Sequence, residues 1–414
     1  MEVVAADELP RSPGFYSRYT SERVRYPPPA EAPEQAVAVL LAAARELLVD
    51  LIVPVTDEII LPLSEARARF AGVCRLALPD TRALATALDK RATLELAEGL
   101  DIPVPRTALV ANIDEALAAA EDIGWPVVLK PQSSRVYRTE KDPKRTEKDP
   151  KRTEKEPKRT EKEPKRTEKD PKTGEQGKVA AFGVSYAADP ETLTTQVGRL
   201  EGRSGILVQE YCRGTGIGIE LLMDRGRPLA AFQHRRVREV PITGGASSYR
   251  DSVPLDPVLL DHAVRLLGAL DWTGLAMVEF KAGNKRHALM EVNGRIWGSL
   301  PLAVKAGMDF PARLVDLCLN GSSNAHDRLD TTYEVGVRSR NLELETIWIG
   351  SALRRGRRYP FLEAPSRREA LRVALRLLNP KDGYDVLSRD DPRPGLTEIA
   401  QIIGKISGKL RRGS

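Results

Sequence analysis

Residues 138–172 are one seven-residue phrase, RTEKDPK, written five times with Asp and Glu exchanging at its fifth position. Pro143, Pro150, Pro157, Pro164 and Pro171 therefore recur at every seventh residue. An interior proline costs a helix roughly 3 kcal/mol, so five of them exclude a helix and a coiled coil with it. The residue before each proline is an acid, which that proline pushes toward extended geometry. No heptad holds an apolar residue besides proline, so this stretch adds nothing to a core. It is expected to be a solvated, disordered insertion. The fold must then be built from the chain on either side.

The repeat also explains the charge. Each heptad nets +1, so five copies account for five of the six net positive charges. The remainder is nearly neutral and gives no reason to invoke nucleic acid or an anionic membrane. The repeat itself interleaves acids and lacks aromatics for base stacking, so a nucleic-acid arm is the less supported reading of it. The 414 residues suffice for two or three domains. No run of 18 apolar residues and no signal peptide is found. Cys74, Cys212 and Cys318 stand far apart without metal-type spacing. A reduced, cytoplasmic protein without membrane contact is expected.

Apolar runs then give the organisation. Strands fit residues 2–6, 51–55 and 75–78, and helices fit residues 34–48 and 64–72. This βαβ alternation predicts a parallel sheet covered by helices, without the strand–helix unit that would normally precede its first strand. Helices follow at 81–87, 90–99 and 113–123, with an extended stretch at 102–110 and a strand at 126–130. The repeat is expected as the tip of a hairpin with arms at 134–137 and 179–186. A helix at 190–200 and a strand at 206–211 close this α+β unit. Strands at 217–224 and 228–239 meet in an Arg225-Gly226-Arg227 turn. A helix at 257–270, strands at 275–281 and 287–292, and helices at 300–306 and 310–319 complete the central region. The tail from 339 reads as helical pieces with several prolines.

Chemistry concentrates in VEF at 278–280 and MEVNGR at 290–295. Each Glu is flanked by apolar residues, so strand alternation turns it away from its neighbours' face. A hairpin across Gly283-Asn284 would bring Glu279, Glu291 and Asn293 to one cleft. Such oxygen donors suit Mg²⁺, which takes a few carboxylates plus water and phosphate oxygens. Arg295 lies close enough to reach the same phosphates. Spacing alone fits equally the polar face of an ordinary hairpin. Lys130 ends the apolar strand of WPVVLKP, where a lysine needs a partner. Lys90 opens a helix, against the dipole, though most such lysines are simply solvated. VQEYCRGTGIGIELL breaks a strand with Gly214, Gly216 and Gly218. Another strand follows, so it is no dinucleotide fingerprint, and no P-loop occurs.

In this order Lys90…DIPVP, WPVVLKP, LVQEYC, MVEFK and MEVNGR resemble the ATP-grasp superfamily, in its branch similar to carbamoyl-phosphate synthase and biotin carboxylase. The resemblance covers about residues 79–321. It implies an α/β and α+β chain. A truncated Rossmann-like domain (1–79) precedes an ATP-grasp domain of two α+β subdomains clasping ATP (80–321, with 138–172 inserted). A mostly helical extension follows (322–414). It implies ATP and Mg²⁺ or Mn²⁺ as cofactors. Lys90 and Lys130 then look like phosphate-contacting lysines. Gln209, Glu210, Tyr211 and Cys212 look like the adenine-reading linker. Glu279 and Glu291 look like Mg²⁺ ligands, Asn293 like a ligand of a second Mg²⁺, and Lys130 and Arg295 like catalytic groups.

By the same resemblance ATP phosphorylates a small-molecule carboxylate, and an amine displaces the phosphate. His234, Arg235, Arg236, Arg238, Gly244 and Gly245 form the expected acceptor-side contact, where a solvated basic edge strand is nearly as good a reading. Relatives commonly carry a ribose-holding acid where this chain has Gly216, with Glu220 further on. Two other readings stay open: a nucleotide-binding protein without turnover, and a nucleic-acid binder using the repeat. The oligomeric state is open, a homodimer being one option.

Overall fold

The computed structural model describes residues 1–132, 184–198, 205–283, 286–321, 328–353, 361–362, 365–377, 379 and 382–412. The expectations for residues 138–172, and for most of the hairpin around them, lie outside the described residues.

The N-terminal region holds two separate two-stranded parallel sheets, β1 (Val3–Asp7) with β2 (Thr20–Arg25) and β3 (Leu51–Ile52) with β4 (Arg75–Leu76). Parallel pairing is as expected; a single sheet is not, and β2 was unforeseen. TSERVR in β2 is half exposed and carries no apolar alternation that would mark it. The helix expected at 64–72 forms as Asp57–Glu65 and Arg67–Phe70. It packs with the helix Pro33–Glu46 through Val37, Leu40, Leu41, Ile59, Leu63 and Phe70.

Four antiparallel strands make the smaller central sheet: β5 (Thr107–Val110), β6 (Val127–Pro131), β7 (Ser185–Ala187) and β8 (Ile206–Glu210), in the order β5-β8-β6-β7. Val127, Leu129, Ile206 and Val208 face the helices Ile113–Ile123 and Pro190–Gly198, burying Ala116, Ala120 and Leu193. Period-two alternation then turns Val128, Lys130 and Gln209 to the opposite face.

The larger sheet has seven strands: β9 (Thr215–Asp224), β10 (Arg227–Val240), β11 (Ala246–Ser252), β12 (Gly274–Ala282), β13 (His287–Asn293), β14 (Arg338–Arg340) and β15 (Gly383–Tyr384). Their order is β13-β12-β9-β10-β11-β14-β15. Arg225 and Gly226, both at positive φ, form the tight turn between β9 and β10. One face packs Ile217, Ile219, Leu221, Val278 and Phe280 against the helices Thr81–Leu88, Lys90–Gly99 and Pro257–Ala269. The other packs Leu222, Phe232 and Met277 against Trp297, Leu302, Met308 and Phe310. Where this second face carries Arg236, Glu239, Glu279, Lys281 and Asn293 it is polar and borders a cleft.

The tail is mostly helical, as expected, yet two of its short strands complete this sheet. Its helix Leu342–Leu353 packs on β10 and β11 through Trp348, Val240 and Ile242. Among the described residues no helix is long and apolar enough to cross a membrane.

Candidate functional site

The polar faces of the two sheets look at each other across a cleft of about 330 Å³. A smaller recess of about 100 Å³ shares Glu291, Asn293 and Arg295 with it and adds Lys90 and Asp57.

The hairpin β12–β13 supplies the centre. Glu279 and Glu291 are direct cross-strand partners, and Asn293 opposes Met277 one pair further on. All line the cleft. The Asn293 side-chain amide donates to Glu279 Oε1 at 3.0 Å. Arg236 donates to the same Glu279 oxygen from β10. Lys90 Nζ lies 3.8 Å from Glu291 Oε2.

Lys90 is placed by its surroundings. Asp89 caps its helix by accepting from the Ala92 amide, and Gln132, just beyond β6, accepts from the Lys90 amide at 3.0 Å. Gln132 Nε2 also donates to Asp89 Oδ2 at 3.0 Å. The helix start is thus tied to the end of the strand that carries Lys130.

The electrostatics follow. Burial pushes the Glu291 carboxyl up, but Lys90, Lys130 and Arg236 outweigh it and hold the group below the usual carboxylate range. Glu279 is pushed up, by burial first, with Glu291 and Glu239 adding and Arg236 opposing. Burial lowers the Lys130 ammonium, with Glu291 opposing. Two facing carboxylates under three cations form a site for a charged ligand that brings both signs.

Among the described residues no group of three His, Cys, Asp or Glu side chains could hold a metal by itself. The donors here are two carboxylates and an amide. That set fits Mg²⁺, which completes its octahedron with water and ligand oxygens rather than an all-protein cage.

Gln209, Glu210, Tyr211 and Cys212 all line the cleft. Gln209 is anchored by its amide to Thr107 Oγ1 at 2.9 Å. Glu210 is held by Arg286 at 3.0 Å and accepts the Arg106 amide. Burial pushes the Cys212 thiol up. Arg295 borders both cavities, its Nε donating to Asp57 Oδ1 at 2.5 Å.

The basic strand divides. Arg236, Gly244 and Gly245 line the cleft. His234 does not: it is fully buried, with Nδ1 3.0 Å from Glu220 Oε1, and burial holds its imidazole below the ordinary value. Arg235 points away and pairs with Asp251 through two hydrogen bonds of 3.1 and 2.6 Å. Arg238 is taken up by the buried Glu345, at 3.0 and 2.5 Å. These three residues are thus corrected as acceptor contacts: each cation or ring is consumed by a partner that strand periodicity cannot reveal.

Gly216 and Gly218 explain the arrangement. On the interior strand β9 they face the cleft side, and a Cβ at Gly216 would come within 2.8 Å of Arg236 Cδ. A Cβ at Gly218 would collide with the His234 ring. The missing side chains form a trough in which β10 side chains lie across β9, letting Arg236 reach Glu279 on β12.

Several lining residues were not singled out as site residues in the sequence: Asp57, Glu239, Lys281, Trp297, Asn341 and Leu344. Glu239 accepts from Lys281 at 2.9 Å and Arg236 at 3.2 Å, and these cations hold it below the usual range although burial opposes them.

Comparison with known proteins bears on the fold and the family. A family model described as "ATP-grasp in the biosynthetic pathway with Ter operon" matches residues 203–341, and one described as an ATP-grasp domain matches residues 81–142. The formate-dependent phosphoribosylglycinamide formyltransferase of Burkholderia mallei is 31% identical over 149 residues, 34% of this chain and 34% of that protein. The chain thus matches about a third of the length of such curated relatives.

Two solved structures share the fold. The biotin carboxylase domain of Hydrogenobacter thermophilus 2-oxoglutarate carboxylase, solved with MgADP, ADP and bicarbonate, superposes with a TM-score of 0.57 at 14% identity, over 82% of this chain and 68% of that one. L-amino acid ligase from Bacillus licheniformis gives 0.51 at 15% identity, over 74% and 65%. The chain has the ATP-grasp fold, and its residues 81–142 and 203–341 are similar to ATP-grasp family models.

Proposed function

We propose that the chain is an ATP-dependent ligase that converts a small-molecule carboxylate to an acyl phosphate for attack by an amine or similar nucleophile. One observation carries the reading: the Glu279–Glu291 cross-strand pair, with Asn293 beside it, stands where Lys90, Lys130 and Arg295 converge. Cations beside paired carboxylates suit a metal-bound polyphosphate. The named activities and ligands of the ATP-grasp relatives support it.

In this reading Gln209–Cys212 read adenine and Lys90 and Lys130 hold phosphate oxygens. Glu279, Glu291 and Asn293 would hold Mg²⁺, which when bound neutralises charge on the transferring phosphoryl group. The acceptor carboxylate oxygen attacks the γ-phosphorus and ADP leaves. The nucleophile then attacks the acyl carbon and inorganic phosphate leaves. Arg295, oriented by Asp57, faces the charge that develops. Gly244, Gly245, Trp297, Asn341 and Leu344 border the acceptor end.

Residues 1–79, 80–321 and 322–414 are our division into a Rossmann-like domain, an ATP-grasp domain and a C-terminal extension. We place the protein in the cytoplasm, with 138–172 as a disordered tandem-repeat insertion and membrane and nucleic acid outside its partners. The test is an ADP-release screen of the purified protein over a panel of acids and amines. Release that depends on one acid–amine pair, and is lost in Glu291→Gln, supports the reading. Mg·ATP binding with no acid-dependent release across the panel favours a non-catalytic nucleotide binder. No binding at all rejects it.

A further inference from the structure

The two sheets are joined at the rim of the cleft by contacts that the proposed reaction does not use. Tyr186 stands on β7 of the smaller sheet, buried and lining the cleft. Its hydroxyl donates to the Thr243 carbonyl at 2.7 Å, in the loop between β10 and β11 of the larger sheet. Gly244 makes room for that bond: its φ is +120°, and a Cβ there would come 3.0 Å from the Tyr186 hydroxyl.

The C-terminal extension reinforces the same bridge. Its helices Leu342–Leu353 and Arg367–Arg376 pack together through Trp348, Ala352, Ala370 and Val373, and Val240 and Ile242, just before Thr243, join that cluster. Phe361 lies in the connection between these two helices. Its ring centroid is 4.8 Å from that of Tyr211 and 6.1 Å from that of Tyr186, and the two tyrosines stand 6.0 Å apart, edge to face. Aromatic pairs at such separations attract beyond the area they bury. Phe361 is anchored through its helices to β10 and β11, whereas Tyr186 belongs to the smaller sheet and Tyr211 directly follows its strand β8. The Phe361 contacts and the Tyr186–Thr243 bond therefore span the two sides of the cleft, and parting the sheets breaks them together.

We propose that Phe361 and the Tyr186–Thr243 bond form a latch. Through it the C-terminal extension holds the smaller sheet against the larger one and sets how fast a ligand enters and leaves the cleft. Closure by the latch does not depend on what the ligand is; its effect on nucleotide exchange rests on the ATP reading above.

Two measurements on the full chain test it. Cys212 lines the cleft beside Tyr211, so its alkylation by iodoacetamide without nucleotide, read by peptide mass spectrometry, reports how often the sheets part. Losing two ring contacts in Phe361→Ala should speed alkylation about tenfold, and losing one hydrogen bond in Tyr186→Phe about fivefold. Release of a ribose-labelled fluorescent ADP, chased with excess ATP in a stopped-flow fluorimeter, should speed by similar factors. Tyr186→Phe keeps all three rings, so faster alkylation there comes from parting sheets and not from a loosened linker. Alkylation at the wild-type rate in either variant overturns the latch. Faster alkylation with unaltered ADP release also overturns it, since the sheets then part without freeing the ligand. If no nucleotide binds, the ATP reading fails by itself, and the alkylation rates still decide whether the latch exists.

Discussion

The buried pair Arg238–Glu345 allows a worked prediction. Glu345 is fully buried, and the Arg238 side chain is 12% exposed. Two hydrogen bonds join them, and Ser248 Oγ donates to Glu345 at 2.8 Å. Removing one partner of such a pair strands the other charge in low dielectric and typically costs about 3–5 kcal/mol. In Glu345→Leu the guanidinium keeps the faces of Tyr249 and Trp348, 4.3 and 5.5 Å from their ring centroids. Those contacts place the cost near the low end, at about 3 kcal/mol. Arg238→Leu should cost a similar amount, because Glu345 is then left with Ser248 and a distant Arg340. The double variant removes both charges and should cost about 1 kcal/mol, well below the sum of the singles. Urea unfolding followed by tryptophan fluorescence reads these differences, with Trp348 beside the pair. A Glu345→Leu cost under about 1 kcal/mol, or additive singles, would refute the reasoning.

Other outcomes follow from the same geometry. Glu291→Gln should weaken Mg·ATP binding at least about tenfold by calorimetry, since a charged oxygen donor is lost from a two-carboxylate set; unchanged binding sinks the metal assignment. Asp57→Asn should lower turnover more than it changes ATP affinity, because it loosens Arg295 at the reacting end; steady-state kinetics with a substrate from the screen separates the two. Glu398 is raised to about 7, by burial first and by Asp385 and Glu343 next. A raised carboxyl stabilises the fold below its unfolded value near 4.5, and that contribution is lost as pH climbs to about 7. Glu398→Gln should therefore flatten the stability–pH curve in this window, gaining at most roughly 3 kcal/mol relative to wild type at pH 8. Replacing residues 138–172 by a short Gly/Ser link should leave the melting temperature within a few degrees, because β6 and β7 are already paired at Leu129–Ser185; loss of folding would show the repeat to be structural.

Much of this was legible because it is local. Helix 113–123 was read to the residue; the structure adds Asn112 as its cap. The hairpin holding Glu279, Glu291 and Asn293 was readable from alternation and a glycine turn alone. What escaped depends on distant chain. β11 reads ASSYRDS and looks like a polar loop, yet Ser248, Arg250, Asp251 and Ser252 are buried in it. Their partners include Glu345, Gly298, Asp385, Arg235 and Val337, so ionic and backbone pairing replaces the apolar pattern that marks a strand. Asp57 and Leu344 reach the site from regions hundreds of residues apart, and no spacing encodes that. His234 and Arg238 were misassigned because charge in a strand gives no sign of its partner.

The seven-stranded sheet also sets an order in time. Its strands β9 to β13 are complete by Asn293, so the carboxylate pair and the linker can assemble from an unfinished chain. Arg250 is fully buried in that same sheet, and its carboxylate partner is Asp385, 2.5 Å away. Until Asp385 has been added, Arg250 lacks the carboxylate that pairs with it in the finished fold. A nascent chain stalled between these points would carry a nearly complete nucleotide cleft on an unstable floor. Quality control of this protein is thereby tied to its C-terminal segment: chains broken off before Asp385 are those a protease should remove first.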